Sequence, residues 1–329
     1  MPGTIILTGA NSSAGIHAAE HLLKTYPGFT AIFTVRDTSD HNTNRLRVVV
    51  SRYPNARASI HKLDLAILES VHAFADEIAS AIQTKKYPPL NAIVCNAAYW
   101  DLVGGSELTV DNYDKTIQIG HISHVALVLR LIASFDPDSP GRIVLLSSIG
   151  HFRQKTHMSP WLPELPLDLD ELVHPPAVPP QDRAGRGFQR YGNAKLLATT
   201  WMYPLNRYLS QSPTFKNITA VAINPGGLGD SRCFTTNTPT STQLIARFVL
   251  KPMIPIINYL IDPTFRSSAA AGVDIMELAV NEASPGYRGY LTLLEQDKSD
   301  PLTLDEDVQR RVWTKSLEWA KLTADRTAL

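Results

Sequence analysis

What most constrains the fold of this chain is an alternation. Short apolar runs at 4–8, 30–35, 58–62, 91–95, 142–147, 218–223 and 289–294 are separated by stretches of helical periodicity at 15–25, 66–84, 110–134, 188–210 and 265–280. Strands of four to seven residues that each hand over to a helix are the pattern of parallel βαβ units. The right-handed crossover rule then places helices on both faces of the sheet. The expectation is one α/β domain, doubly wound, with a central parallel sheet of about seven strands flanked by helices.

Two regions break the alternation. Residues 151–187 include SPWLPELPLDLDELVHPPAVPP, whose prolines forbid a long helix or a central strand. Residues 228–264 begin GLGDSRCFTTNTPTS and then turn apolar. Both follow strands on the same side of the sheet, where open α/β sheets bind ligands. They are expected to be substrate-covering insertions, and 296–329 a C-terminal helical extension. The apolar run 246–261 is broken by Arg247, Lys251, Pro252 and Pro255, and a membrane span needs a longer clean run. An amphipathic flap over an apolar ligand is the expectation, with no transmembrane segment and a cytoplasmic location. With 31 basic against 31 acidic residues, no broadly basic nucleic-acid surface is expected. Cys95 and Cys233 are too few for a disulfide framework or a cysteine zinc site.

Directly after the first strand comes Thr8-Gly9-Ala10-Asn11-Ser12-Ser13-Ala14-Gly15-Ile16, then a helix. Gly9 permits a tight turn, Gly15 lets backbone and helix approach a pyrophosphate, and the helix amino terminus offers free N–H groups to it. In this position the motif points to a Rossmann-type nucleotide site. The second strand ends Val35-Arg36-Asp37; Arg36 suits a 2′-phosphate, so NADP(H) is the expected cofactor. Asp64-Leu65 follows strand 3, where the carboxylate either meets the adenine amino group or caps the helix beginning near Ala66. Small residues in Asn96-Ala97-Ala98 let the chain pass close to the cofactor. Pro225-Gly226 end strand 6 in a turn that is expected to pass the nicotinamide.

Strand 5 runs into Ser147-Ser148, and Tyr191-Gly192-Asn193-Ala194-Lys195 opens a later helix. A Tyr and a Lys four apart share a helix face. An unperturbed Tyr titrates at about 10, and a neighbouring ammonium, with the cation of an oxidised cofactor, would favour the phenolate and lower that value. Tyr99, Trp100, His151 and Leu228 are candidates for a substrate pocket. His121, His124, His151 and His157 share no ligand spacing with acids, so no metal is expected; these histidines read as surface groups or local hydrogen-bond partners.

Taken together, Thr8-Gly9…Gly15, Asp64, Asn96-Ala97, Ser148, Tyr191/Lys195 and Asn224-Pro225-Gly226 resemble the short-chain dehydrogenase/reductase family over roughly residues 3–295. Cys95-Asn96-Ala97-Ala98, the distance from Ser148 to Tyr191 and the tail Val308…Trp313…Glu318 resemble the branch of retinol dehydrogenases and protochlorophyllide reductases, in a fungal-type member. The resemblance implies that Tyr191 is general acid/base, that Lys195 binds the nicotinamide ribose and lowers the Tyr pKa, and that Ser148 orients the substrate carbonyl. Ser147 would then pack or bond locally. It implies an NADP-dependent enzyme interconverting a carbonyl and a secondary alcohol on a bulky apolar small molecule, in secondary metabolism, as a monomer or homodimer. Reduction of a conjugated C=C bond is the alternative, and a catalytically weak NADP-binding scaffold another. Two departures stand out. Ser13 occupies a position usually held by glycine, and Ile117 that of an Asn that serves a water-linked proton relay to Lys, leaving His121 or water to rebuild it.

Overall fold

The structure, a computed structural model, describes residues 2–154, 160–323 and 327–328; His157 lies outside them. Its strands are β1 (Thr4–Leu7), β2 (Thr30–Val35), β3 (Arg57–Lys62), β4 (Leu90–Cys95), β5 (Gly141–Leu146), β6 (Ile218–Asn224), β7 (Gly289–Thr292) and β8 (Glu295–Gln296). They lie in the order β3-β2-β1-β4-β5-β6-β7-β8. The first seven are parallel, and β8 pairs antiparallel with β7. Within each strand alternate residues feed two separate cores. Ile6, Ile93 and Ile143 face one; Ile5, Leu7, Val94 and Val144 face the other. Burial on both faces is why the central strands read as continuous apolar runs, whereas the edge strand β3 is half-buried and mixed in sequence.

The principal helices are α1 (Ser13–Thr25), α2 (His41–Ser51), α3 (Leu68–Gln83), α4 (Lys115–Ser134), α5 (Arg183–Gln211), α6 (Thr240–Ile245), α7 (Ile254–Leu260), α8 (Ser268–Ala279) and α9 (Glu306–Trp319). Helix α2 is absent from the alternation read in the sequence. Asp40 caps it by accepting from the Thr43 N–H at 2.6 Å. Helix α4 is long and apolar enough to span a bilayer, yet 89% of its apolar window is buried inside the protein. It is a core helix, widened to five-residue turns over Gln118–Ile122.

Helix α5 starts five residues before the sequence expectation. Its Gly185 and Gly187 are close-packing residues: a Cβ on them would meet the Trp161 ring at 2.5 Å and the Asp101 carbonyl at 2.0 Å. Helix α9 closes the same core, its Trp313 stacked on Trp201 of α5 with ring centroids 5.8 Å apart. The apolar run 246–261 has its large side chains outward, Phe248 being 66% and Tyr259 86% exposed.

Candidate active site

At the carboxyl end of β1 the chain turns at Gly9, whose φ is +60°, and a Cβ there would lie 3.0 Å from Ala97 Cα. A Cβ on Gly15 would lie 2.5 Å from the Gly9 carbonyl oxygen. Ser12 caps α1 by accepting from the Gly15 N–H at 3.0 Å. The Asn96 amide donates to the Thr8 and Gly9 carbonyls at 2.8 and 3.1 Å and to Ser12 Oγ at 3.1 Å. Thr8 is fully buried; its hydroxyl accepts from the backbone N–H groups of Asn96 and Ala97 at 2.9 and 3.0 Å. Thr8, Ser12 and Asn96 therefore hold the turn through their side chains. Ile16 and Leu65 are both buried, in the cores on opposite faces of the sheet.

Around this turn the remaining residues have distinct partners. The Asn11 amide donates to Thr43 Oγ1 at 2.9 Å and Asp40 Oδ2 at 3.3 Å, tying the turn to α2. The Ser13 hydroxyl, where a glycine is usual, accepts from the Arg232 N–H at 2.9 Å. The Arg232 guanidinium in turn donates to the Asn11 carbonyl at 2.6 Å. Arg36 lies exposed at the tip of β2. Asp37 beside it is held below the usual carboxylate range by hydrogen bonds from Ser39, with Lys62 and Arg36 adding to this. Asp64 does not cap α3: it accepts from the Ala66 N–H at 2.9 Å, while α3 starts at Leu68, whose N–H goes to Asp111 at 2.7 Å. The two-residue slip separates the carboxylate from the helix start. Ala97 abuts Gly9, and Ala98 is exposed. Gly226 has φ +85°, and a Cβ there would lie 2.1 Å from the Thr264 carbonyl oxygen. Pro225 accepts from Arg266 Nε at 2.8 Å.

At the carboxyl end of β5, Ser147 bonds Thr199 of α5 at 2.8 Å, as its local role requires. Ser148 Oγ accepts from the Gly150 N–H at 3.1 Å and hydrogen bonds the Tyr191 side chain. A Cβ on Gly192 would lie 2.6 Å from the Gly150 carbonyl oxygen, so its absence lets α5 settle on this turn. Lys195, buried, donates to the Leu146 carbonyl at 2.5 Å, and its Nζ lies 5.4 Å from the Tyr191 ring centroid. Burial pushes Tyr191 up to about 12 against the lowering effect of Ser148, and lowers Lys195 to about 8. The expected lowering of Tyr191 by Lys195 is not present in the free protein. The ammonium lies over the ring and is engaged by a carbonyl, and burial dominates.

Trp100 packs edge-on against Tyr191 at 5.7 Å and against Phe234 at 6.1 Å, and Phe188 lies 6.2 Å from Tyr191. Trp100 Nε1 donates to the Cys233 carbonyl at 3.0 Å, which fastens the 232–238 segment over the site. Tyr99 turns away: its hydroxyl donates to Glu107 at 3.1 Å, with the Lys115 ammonium 4.7 Å from its ring centre. His151 does not enter the pocket. The turn Ile149–His151 folds it inward, fully buried, with Nδ1 2.7 Å from the Ser148 carbonyl and Nε2 accepting from the Asp300 N–H at 3.1 Å. Leu228 packs against the core around β1 and α1 and bridges to Arg266.

His121 and His124 are buried, not surface groups, and burial pushes both down to about 3. Neither Ile117, sunk in the core, nor His121, bonded to Ser316 of α9 at 2.7 Å, is tied to the Tyr191/Lys195 pair. Gln118 is engaged by Thr109 and Asp111. The histidine near Lys195 is His124, which bonds the Gly120 backbone and lies 3.0 Å from Thr8 Oγ1. Sequence spacing gave no sign of it, because the widened turn of α4 rotates every later side chain. Among the described residues no group of three or more His, Cys, Asp or Glu is placed to hold a metal ion.

Between the Gly-rich turn and the 229–251 segment lies an open cleft of about 560 Å³, walled by Ser12, Ser13 and Ile16 on one side and by Arg232, Arg247 and Lys251 on the other, with Arg45 at its rim. The cleft and the Ser148/Tyr191 pair both stand at the carboxyl ends of the parallel strands, where this architecture takes its ligands.

Comparison with known proteins agrees with this geometry. The family described as short chain dehydrogenase matches residues 3–161, and the AcuH dehydrogenase domain matches 232–329. The short-chain dehydrogenase iccH of Talaromyces variabilis is 26% identical, covering 99% of this chain and 98% of that one. The dehydrogenase acuH of Aspergillus aculeatus is 44% identical over 29% of this chain and 96% of its own length. Retinol dehydrogenase 13 of Mus musculus is 24% identical over 96% of this chain and 83% of its own. Among solved structures, the landomycin C-6 ketoreductase LanV with bound NADP and rabelomycin overlays with a TM-score of 0.57, at 16% identity, covering 88% of this chain and 94% of that one. The chain belongs to the short-chain dehydrogenase/reductase family.

Proposed function

We propose that this protein is an NADP-dependent oxidoreductase that interconverts a carbonyl and a secondary alcohol on a bulky, largely apolar small molecule. The observation that carries the reading is the hydrogen-bonded Ser148–Tyr191 pair with Lys195 buried beside it, facing Trp100, Phe188 and Phe234. The glycine cradle at Gly9 and Gly15, which any Cβ would fill, fits a pyrophosphate at the start of α1. The cationic cleft beside it fits a cofactor rich in phosphate.

In this reading Ser12, Ser13, Gly15 and Ile16 flank the pyrophosphate, and Arg36 serves the adenosine end. Asp64, Leu65 and Asn96 to Ala98 border the adenosine and the ribose, and Pro225-Gly226 the nicotinamide. When bound, NADP(H) supplies or accepts the hydride. Tyr191 holds the proton that passes to the developing alkoxide, and Ser148 donates a hydrogen bond that steadies the same oxygen. Lys195 uses one of its three N–H donors on the Leu146 carbonyl, which leaves others for a ribose hydroxyl. Its charge then favours the tyrosinate, offsetting the burial that holds Tyr191 near 12 in the free protein. Trp100, Phe188 and Phe234 exclude water and orient a flat or bulky apolar skeleton. LanV, a ketoreductase with bound NADP and rabelomycin, supports a bulky substrate of this kind, such as one of secondary metabolism. Membership of the retinol-dehydrogenase-like branch is supported by Cys95-Asn96-Ala97-Ala98 and by the tail packed through α9. The substrate-covering role extends to 151–187 and 228–264. Free thiols at Cys95 and Cys233 fit a reducing, cytoplasmic location.

The test is turnover of Tyr191→Phe on a panel of apolar ketones and enones, with NADPH binding measured alongside. Loss of turnover with binding retained is expected. Full activity of that variant, or turnover confined to enones, would overturn the reading.

A further inference from the structure

The sequence reading assigns the cofactor's extra phosphate to Arg36, but the cleft at the Gly-rich turn is walled by other arginines. Arg232 reaches it from the segment after β6, and Arg45 from the second turn of α2. Three observations bear on the pair. Arg232 is positioned by two bonds to the turn itself, its backbone N–H to Ser13 Oγ and its guanidinium to the Asn11 carbonyl. Both arginines line the same cleft, and the Arg232 pKa is lowered first by burial and then by the charge of Arg45, while Asp40 pulls the other way. Arg247 and Lys251 stand on the same cleft wall, and from Ser231 to Ile261 the chain has no acidic residue. The nearest carboxylates are otherwise engaged: Asp40 caps α2, and Asp230 accepts from Ser268 at 2.7 Å. With Arg45, Arg232, Arg247 and Lys251 lining the cleft against the single carboxylate of Asp230, itself bonded to Ser268, the excess positive charge is relieved by an anion of more than one charge.

We infer that Arg232 and Arg45 together bind the 2′-phosphate of NADP(H), and that this specificity is carried by the 232–251 segment docking on the Gly-rich turn. The inference rests on the NADP reading above and adds to it which side chains recognise the phosphate. Arg232 already donates one of its N–H groups to Asn11, and its planar fork leaves others to meet phosphate oxygens. Ser13 has a purpose in this arrangement that a glycine would not serve: its hydroxyl holds the Arg232 backbone against the turn.

The experiment measures dissociation constants for NADPH, NADH and 2′,5′-ADP by fluorescence titration, for the wild type and for Arg45→Ala, Arg232→Ala, Arg232→Lys and Arg36→Ala. Each alanine variant at 45 or 232 should weaken NADPH and 2′,5′-ADP by about tenfold or more, the scale of a lost charged hydrogen bond. NADH should change by less than about threefold. Arg232→Lys should recover part of the loss, and Arg310→Ala, on the exposed face of α9, should bind as wild type. Arg45 is exposed, so its variant reports even if Arg232→Ala folds poorly. Equal loss of NADPH and NADH, or a preference abolished by Arg36→Ala alone, would overturn the inference while leaving NADP use intact. A wild type that binds NADPH and NADH equally would remove the NADP reading itself.

Discussion

The nucleotide end and the chemical end of this site are built on opposite plans. At the Gly-rich turn the polar side chains bond one another: Asn96, Thr8 and Ser12 are engaged with the turn backbone, so its shape is fixed before any ligand arrives. At the chemical end Ser148 and Tyr191 face aromatic rings, on a surface formed by loops that meet across helix α5. One end is defined by backbone geometry, the other by side-chain chemistry. Substitutions at the first should therefore damage folding and cofactor affinity together, and at the second turnover alone.

The largest effect expected on that contrast is at Tyr191. Its Phe variant should lose about 10²- to 10⁴-fold in kcat, with NADPH affinity and Tm near wild type, read by steady-state kinetics and thermal unfolding. Retained turnover would break the comparison. Gly15→Val at the other end should abolish measurable NADPH binding and lower Tm, because its Cβ would lie 2.5 Å from the Gly9 carbonyl oxygen. Asn96→Ala should cost about 1–3 kcal/mol, the penalty for leaving buried partners unpaired, in denaturant unfolding, with a matching rise in the NADPH dissociation constant. A change in kcat alone would count against its place in the turn.

Acid should reveal the core between the two ends. His121 and His124 are held near 3 in the folded protein against about 6.5 when unfolded. The unfolded chain therefore binds more protons between those values, and stability should fall as pH drops from about 6.5 toward 3. The unfolding midpoint in urea would show this, and His121→Gln should flatten the slope. The smallest effect belongs to Tyr99→Phe. Its hydroxyl bonds Glu107, so kcat/KM should change by less than about twofold.

Much of this plan is legible in the residues. The seven strand runs are the seven parallel strands within a residue or two; six are buried strands and so mainly apolar, while the edge strand β3 is only half-buried and more polar. Ser148, Tyr191 and Lys195 come together as their order along the chain implies. What escaped notice has physical reasons. Helix α2 is polar on most of its surface and buries little more than Thr43, Leu46 and Val49, so its apolar stripe is thin. Helix α5 begins inside the proline-rich 151–187 stretch, just after Pro180, and its Gly185 and Gly187 serve close approach to Trp161 and Asp101. His151 follows Ser148 closely and reads as a pocket residue until the tight turn at 149–151 is seen to reverse it. The register of α4 slips because five-residue turns do not announce themselves in a periodicity of 3.6.

The bond from Ser13 to Arg232 joins residues 219 positions apart. It makes the Gly-rich turn and the segment after β6 a matched pair for anyone building chimeras. Grafted onto a relative with glycine in place of Ser13, the 232–251 segment would lose one of its anchors and keep those to the Asn11 carbonyl and to Trp100. Conversely, restoring the usual glycine here would remove one of the two bonds from Arg232 to the turn, leaving the bond to the Asn11 carbonyl, without touching a single residue of the flap. Transplanting the two pieces together is the exchange that preserves the cleft.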